Sequence, residues 1–160
     1  MSEIKENKNK SEDLLQIVSF KIGSEEFGID ILKVQEIIKM LDLTKVPNSP
    51  DFVVGVVNLR GKIIPVIDLR TRLNMSSIEN NKDTRIIVVE IESSTIGFVV
   101  DEVSEVLRIP ENITEPPPSM VAGINSDFIT AVGKLEDRLL ILLDLEKVFS
   151  LQEKTELAEI

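Results

Sequence analysis

The chain has no histidine and no cysteine. Without histidine it lacks the usual general base at neutral pH and the commonest metal ligand. Without cysteine it has no disulfide framework, no thiolate nucleophile and no sulfur-ligated metal. A Ser-His-Asp or Cys-His catalytic arrangement is therefore excluded. Tryptophan and tyrosine are also missing, and phenylalanine alone supplies the 4% of aromatic residues, so the core must be aliphatic. Basic residues are outnumbered 18 to 28, for a net charge of −10. Nucleic-acid binding needs clustered Lys and Arg against phosphate, and no such cluster occurs. No apolar run approaches the length that crosses a bilayer, which argues against direct membrane insertion. The opening MSEIKENKNKSED is polar and acidic, unlike a secretory signal, and a cytoplasmic protein is expected.

What remains is a chain of 160 residues, long enough for a core without staples. Residues 1–13 hold one strongly apolar residue beyond the first Met, Ile4, and are expected to be a disordered tail. Residues 151–160 read as a helix or tail. Between them, short runs such as Val53–Val57, Ile63–Ile67, Ile86–Ile91, Ile96–Val100 and Leu139–Leu143 are rich in Val, Ile and Leu. Bounded by Gly, Pro, Asn or Asp, they predict buried strands. No amphipathic helix of useful length separates them, so an all-β sandwich or barrel is favoured over a parallel sheet. Pro65 cannot donate to a ladder and should mark an edge or a bulge.

The chain also resembles itself. Residues 17–38, IVSFKIGSEEFGIDILKVQEII, align without a gap on 86–107, IIVVEIESSTIGFVVDEVSEVL, at an offset of 69. Residues 56–69, VVNLRGKIIPVIDL, align on 132–145, VGKLEDRLLILLDL, at an offset of 76. Gly28 meets Gly97, Val34 meets Val103, Glu36 meets Glu105, and Asp68-Leu69 meets Asp144-Leu145. The matched glycines and Asp-Leu ends argue against chance. One unit of about five short strands, used twice and closed on itself, would make two small barrels. The first would span 14–75 and the second 76–150, with strands or the C-terminal segment crossing between them.

Several residues invite a chemical reading. Asp68 and Asp144 are equivalent and could form a carboxylate pair for hydrolysis; each also precedes a short helical stretch and suits an N-cap. Asp101, Glu102 and Glu105 could gather a metal, but they lack the spacing of a calcium loop and suit a solvated acidic surface. Gly55 and Gly61 match no phosphate-binding fingerprint. Arg60-Gly61 fits a hairpin turn with Gly61 at positive φ. The second copy has Glu136-Asp137 there, so the arginine belongs to the first repeat alone. Arg60 is either a solvated turn residue or a contact for a partner. The stretch Ile31–Lys39 carries more apolar residues than one small barrel covers, which suggests an exposed groove. Met120 and Val121 are a second candidate apolar pair.

FGIDI, VQEI and NLRGxIxPxxDLR together closely resemble the CheW family of chemotaxis adaptors, from about Gln16 to Phe149. These motifs are shared by free-standing CheW, the CheW-like regulatory domain of the histidine kinase CheA, and CheV; the end at residue 160 favours the first. The resemblance implies two SH3-like five-stranded β-barrels with short helices and a groove between them. It implies an adaptor that couples the cytoplasmic tips of methyl-accepting chemoreceptors to CheA, recruited to arrays at the inner face of the membrane, with no catalysis, no cofactor and no metal. Carried over by residue, receptor binding falls on Val34, Glu36, Ile37 and Arg60, with Val99 and Val103 as second-barrel candidates. Met120 and Val121 fall to the kinase contact. Ile38-Lys39-Met40 and the triple proline depart from the family pattern. A CheW-like adaptor of another pathway, such as pilus motility, is the alternative; a carboxylate-dependent hydrolase is the reading from another class.

Overall fold

The computed structural model describes residues 14–117 and 128–158. The strands are β1 (Leu14–Ile22), β2 (Glu25–Asp30), β3 (Val34–Lys39), β4 (Val53–Leu59), β5 (Lys62–Asp68), β6 (Arg85–Ile91), β7 (Ser94–Val100), β8 (Glu102–Pro110), β9 (Thr114–Glu115), β10 (Ile129–Lys134) and β11 (Leu139–Leu143). A short helix, α1 (Leu69–Arg72), follows β5, and α2 (Leu151–Ala158) follows β11. The tail 1–13 lies outside the described residues.

Two sheets form two SH3-like barrels. One runs β8-β1-β2-β11-β10-β9, the other β3-β6-β7-β5-β4. Replacing each strand by its repeat counterpart converts one order into the other. Each barrel thus joins the first hairpin of one repeat to the last three long strands of the other. The division at 75/76 does not coincide with the sheets, because β1 and β2 lie in one and β3, β4 and β5 in the other. The sixth strand, β9, pairs on the outer edge of β10, as the isolated bridge Thr44–Val56 pairs on the outer edge of β4. In both barrels the segment leaving the crossing strand wraps round to the far edge.

The matched glycines have a spatial cause. A Cβ on Gly28 would lie 2.4 Å from Ile17 Cγ2, and one on Gly97 2.7 Å from Ile86 Cγ2. Ile17 and Ile86 are themselves repeat counterparts, so each barrel packs one isoleucine onto a bare backbone. Pro65 is not at an edge. β5 lies inside its sheet, and its parallel ladder to β7 begins only at Val66, one residue past the proline. The expected bulge is elsewhere in this hairpin, between Val53 and Gly55 on β4.

Three apolar clusters follow the same logic. Val57, Ile64, Val66, Ile86, Val88 and Val99 fill one barrel. Ile17, Ile109, Leu140 and Leu142 fill the other. The largest cluster draws on both sheets and includes Phe20, Phe27, Phe98 and Phe149. At roughly 1.5–3 kcal/mol for each large apolar side chain removed from water, this shared cluster is the main stabilising contact between the barrels.

One polar clasp supports it. Arg70 on α1 donates from Nε and Nη2 to the two carboxylate oxygens of Asp101, at 2.9 and 2.6 Å. Gly23 N, in the β1–β2 turn at φ 63°, donates to Asp101 Oδ2 at 2.7 Å. Burial would raise the Asp101 carboxyl, but the Arg70 and Gly23 hydrogen bonds and the Arg70 charge outweigh it and hold it below its ordinary value. A carboxyl whose folded pKa is depressed adds stability above its unfolded pKa, and that stability is lost as pH falls through the folded value. Asp101→Asn should therefore lower stability at neutral pH by about 2 kcal/mol. It should also flatten the loss of stability below about pH 4; denaturant melts at several pH values measure both effects. Ser19 offers the opposite case. Its hydroxyl is fully buried without a hydrogen-bond partner, at the position where the other repeat has Val88. Ser19→Ala should raise stability by about 1 kcal/mol in the same melts, since an unsatisfied buried hydroxyl is removed.

Candidate functional site

The hairpin Asn58–Lys62 turns through Arg60 at φ 53° and Gly61 at φ 83°. Both central residues are left-handed, the geometry of a two-residue hairpin whose twist matches its strands. Only Gly61 was expected there. Asn58 Oδ1 accepts from Gly61 N at 2.8 Å and fixes the turn. A non-glycine residue at such a φ costs roughly 1 kcal/mol, so arginine here needs a compensating contact.

That contact is Glu36. Arg60 Nη1 and Nη2 donate to Glu36 Oε2 and Oε1, each at 2.7 Å, in a fork-to-fork pair. Glu36 is on β3, one edge of its sheet, and Arg60 caps the hairpin of β4, the other edge. The pair therefore spans the barrel's seam. Hydrogen bonds from Arg60 hold the Glu36 carboxyl below its ordinary value, against a smaller effect of burial. The Arg60 side chain remains 73% exposed, so the charge pair stands at the surface.

Ile37 follows on β3 and is 39% exposed. Just before Glu36 the β3–β6 register shifts, and Gln35 Nε2 donates to Glu90 Oε2 at 3.0 Å. Val34 is half-buried against the shared core, and so is its counterpart Val103 on β8. Val99 is a correction. It lies inside a barrel with Val57 and Ile64, because its side of β7 faces inward, and it offers no surface to a partner. Of the receptor-binding candidates, Glu36 and Arg60 are joined as an ion pair, Ile37 is exposed on the opposite face of β3, and Val34 is half-buried against the shared core. Met120 and Val121 lie outside the described residues.

Ile63, absent from the expected set, is 50% exposed on β5, three residues past Arg60. The repeat held the signal. Ile63 aligns with Leu139 and Ile37 with Val106, and these counterparts are 59% and 57% exposed on the other barrel. Exposed apolar residues at matched positions in both copies are not random surface.

The chemical alternatives lose their donors to structure. Asp68 Oδ1 accepts from Arg70 N and Asp144 Oδ1 from Glu146 N, each at 3.0 Å, so both carboxylates act as N-caps. Burial pushes the Asp68 carboxyl up, against the pull of the Arg70 N–H and the Ser77 hydroxyl. Asp101 is engaged by Arg70, and Glu105 lies 3.7 Å from Arg138. Among the described residues, no cluster of three or more His, Cys, Asp or Glu could hold a metal. Nor is any helix among them long and apolar enough to cross a membrane.

Comparison with known proteins extends this geometry. The CheW-like domain family model matches residues 16–153. The chain is 41% identical to the chemotaxis protein CheW of Klebsiella aerogenes over 138 residues, covering 86% of this chain and 83% of that protein. It is 38% identical to the CheW of Helicobacter pylori over the same shares. The crystal structure of the scaffolding protein TtCheW from Thermoanaerobacter tengcongensis superposes with a TM-score of 0.78 at 42% identity, covering 86% of this chain and 88% of that one. With the paired repeats, the exchanged strands and the Glu36–Arg60 seam, these matches place the chain in the CheW-like family.

Proposed function

We propose that the chain is a non-enzymatic coupling protein of chemotaxis arrays, binding chemoreceptor cytoplasmic tips on one side and the CheW-like regulatory domain of CheA on the other. The single observation that carries the reading is the CheW-like match across residues 16–153, which takes in both barrels and not one motif. Adaptor work needs shape and surface alone, and both Asp68 and Asp144 are committed to caps. The protein acts in the cytoplasm, at the inner face of the membrane where receptors cluster.

The receptor surface is the Glu36–Arg60 seam with Ile37 and Ile63. A receptor tip is a helical hairpin, and an amphipathic helix binds by laying apolar side chains on such residues while charges fix its register. Arg60 also presents N–H donors beyond those used by Glu36. Each contact is modest, and the array multiplies them through linked binding events.

Arg60→Glu replaces the ion pair with two facing carboxylates at an exposed site. The affinity for a purified receptor cytoplasmic fragment should fall about tenfold or more. The thermal midpoint should move by less than about 3 °C, since exposed pairs contribute little to stability. Binding to a purified CheA regulatory domain should be retained. The double variant Glu36→Arg with Arg60→Glu rebuilds the pair with charges exchanged, and receptor binding should stay weak. Unchanged receptor affinity in both variants would remove the seam from the receptor surface. Loss of CheA binding alone would assign the seam to the kinase.

A further inference from the structure

The helix α2 has no counterpart in the first repeat, and its mode of attachment differs from the rest of the fold. Its amino end is closed by a reciprocal cap: Glu153 N donates to Ser150 Oγ at 3.2 Å, and Ser150 N donates to Glu153 Oε1 at 2.9 Å. Leu157 is its buried apolar anchor. Charged side chains add further holds. Arg72 on α1 donates to both Glu153 oxygens, at 2.9 and 3.0 Å, and to the Val148 carbonyl. Its guanidinium lies against the rings of Phe52 and Phe149, 5.5 and 5.3 Å from their centroids. Lys154 Nζ donates to Glu92 Oε1 at 3.1 Å. A cavity of about 260 Å³ remains between α2 and the β6–β7 hairpin, lined by Ile91, Ser94, Ile96 and Leu157. An open cleft separates its other side from residues 49–52. With a cavity on one side and an open cleft on the other, the described part of α2 is less closely packed than the cluster between the barrels, Leu157 excepted.

Glu92 ties α2 to the β6–β7 turn. It sits at φ 46° in the β6–β7 turn, where the first repeat has Gly23 at φ 63°. Glycine is the unstrained choice at that angle. The second repeat accepts a carboxylate there, and that carboxylate grips α2. Glu92 directly follows β6, the strand on which β3 is registered through Val34–Val89 to Lys39–Arg85. Two residues before it, Glu90 holds Gln35 at the β3 bulge.

We propose that α2 is a charge-held latch on the β6–β7 turn, opening as a unit without unfolding the barrels, and that its release loosens β3 through the end of β6. Hydrogen exchange on the full chain tests both parts. In the unaltered protein, α2 amides should exchange faster than those of β10 and β11. Lys154→Ala raises helix propensity, so faster exchange of α2 in that variant comes from lost docking. The expected gain is roughly two- to fivefold in α2. A smaller gain is expected in the β3 amides bonded to β6, and none in β10 and β11. Glu92→Gly separates the latch from general stability: α2 exchange should rise while the global unfolding midpoint stays equal or rises, because a strained turn is relieved. Exchange of α2 in step with β10 and β11 overturns the latch. Faster α2 with unchanged β3 overturns the transmission.

Discussion

The apolar cluster between the two barrels is the contact on which the rest of the structure depends. Phe20 and Phe27 stack at 6.0 Å between centroids, and Phe98 lies 5.8 Å from Phe149. Four of the chain's six phenylalanines are buried in this one cluster, from both repeats, and the other two, Phe52 and Phe128, pack against it. The strand exchange makes the cluster unavoidable. Neither hairpin can reach its own barrel without the other repeat crossing beside it. Two small barrels of this size would each be marginal alone, and the shared core makes them one cooperative body.

Much of this was legible in the sequence. Short Val/Ile/Leu runs marked β4, β5, β6, β7 and β11, while β3 and β8 were not read as strands, and the offsets of 69 and 76 matched strands that prove structurally equivalent. The Asp-Leu ends were caps in both copies. Partner choice between repeats was not legible, because an alignment of equal hairpins is the same whether β3 stays with β1 or crosses to β6. Arg60 was singled out by its absence from the second copy, but its pairing with Glu36 depends on barrel closure, which no local pattern encodes. Val99 was misplaced because its neighbours on β7 are apolar on both faces, so alternation could not say which side turns inward. Ile63 was overlooked as one more core residue in an apolar run.

The two copies share a skeleton and differ in charge. Where Lys62 donates to the Thr95 hydroxyl at 2.7 Å, its counterpart Arg138 binds the buried Glu26 at 2.8 Å. Where Glu36 is held by the arginine within the hairpin turn, its counterpart Glu105 stands 3.7 Å from that same Arg138, just past the β10–β11 turn. In one barrel the pair has a buried carboxylate, and in the other it stands at the surface. The two copies present equivalent surfaces, and these substitutions give them different chemistry.

The crossing of β3 and β8 also sets an order of assembly during synthesis. The barrel made of β3–β7 contains only residues 34–100 and is complete once β7 has emerged from the ribosome. The other barrel needs β1 and β2, made before β3, and waits for β11, which ends at Leu143. For that interval the β1–β2 hairpin, with Phe20 and Phe27, must rest on the finished barrel or stand exposed to solvent and to chaperones. The hairpin made before the β3–β7 barrel is therefore enclosed after it.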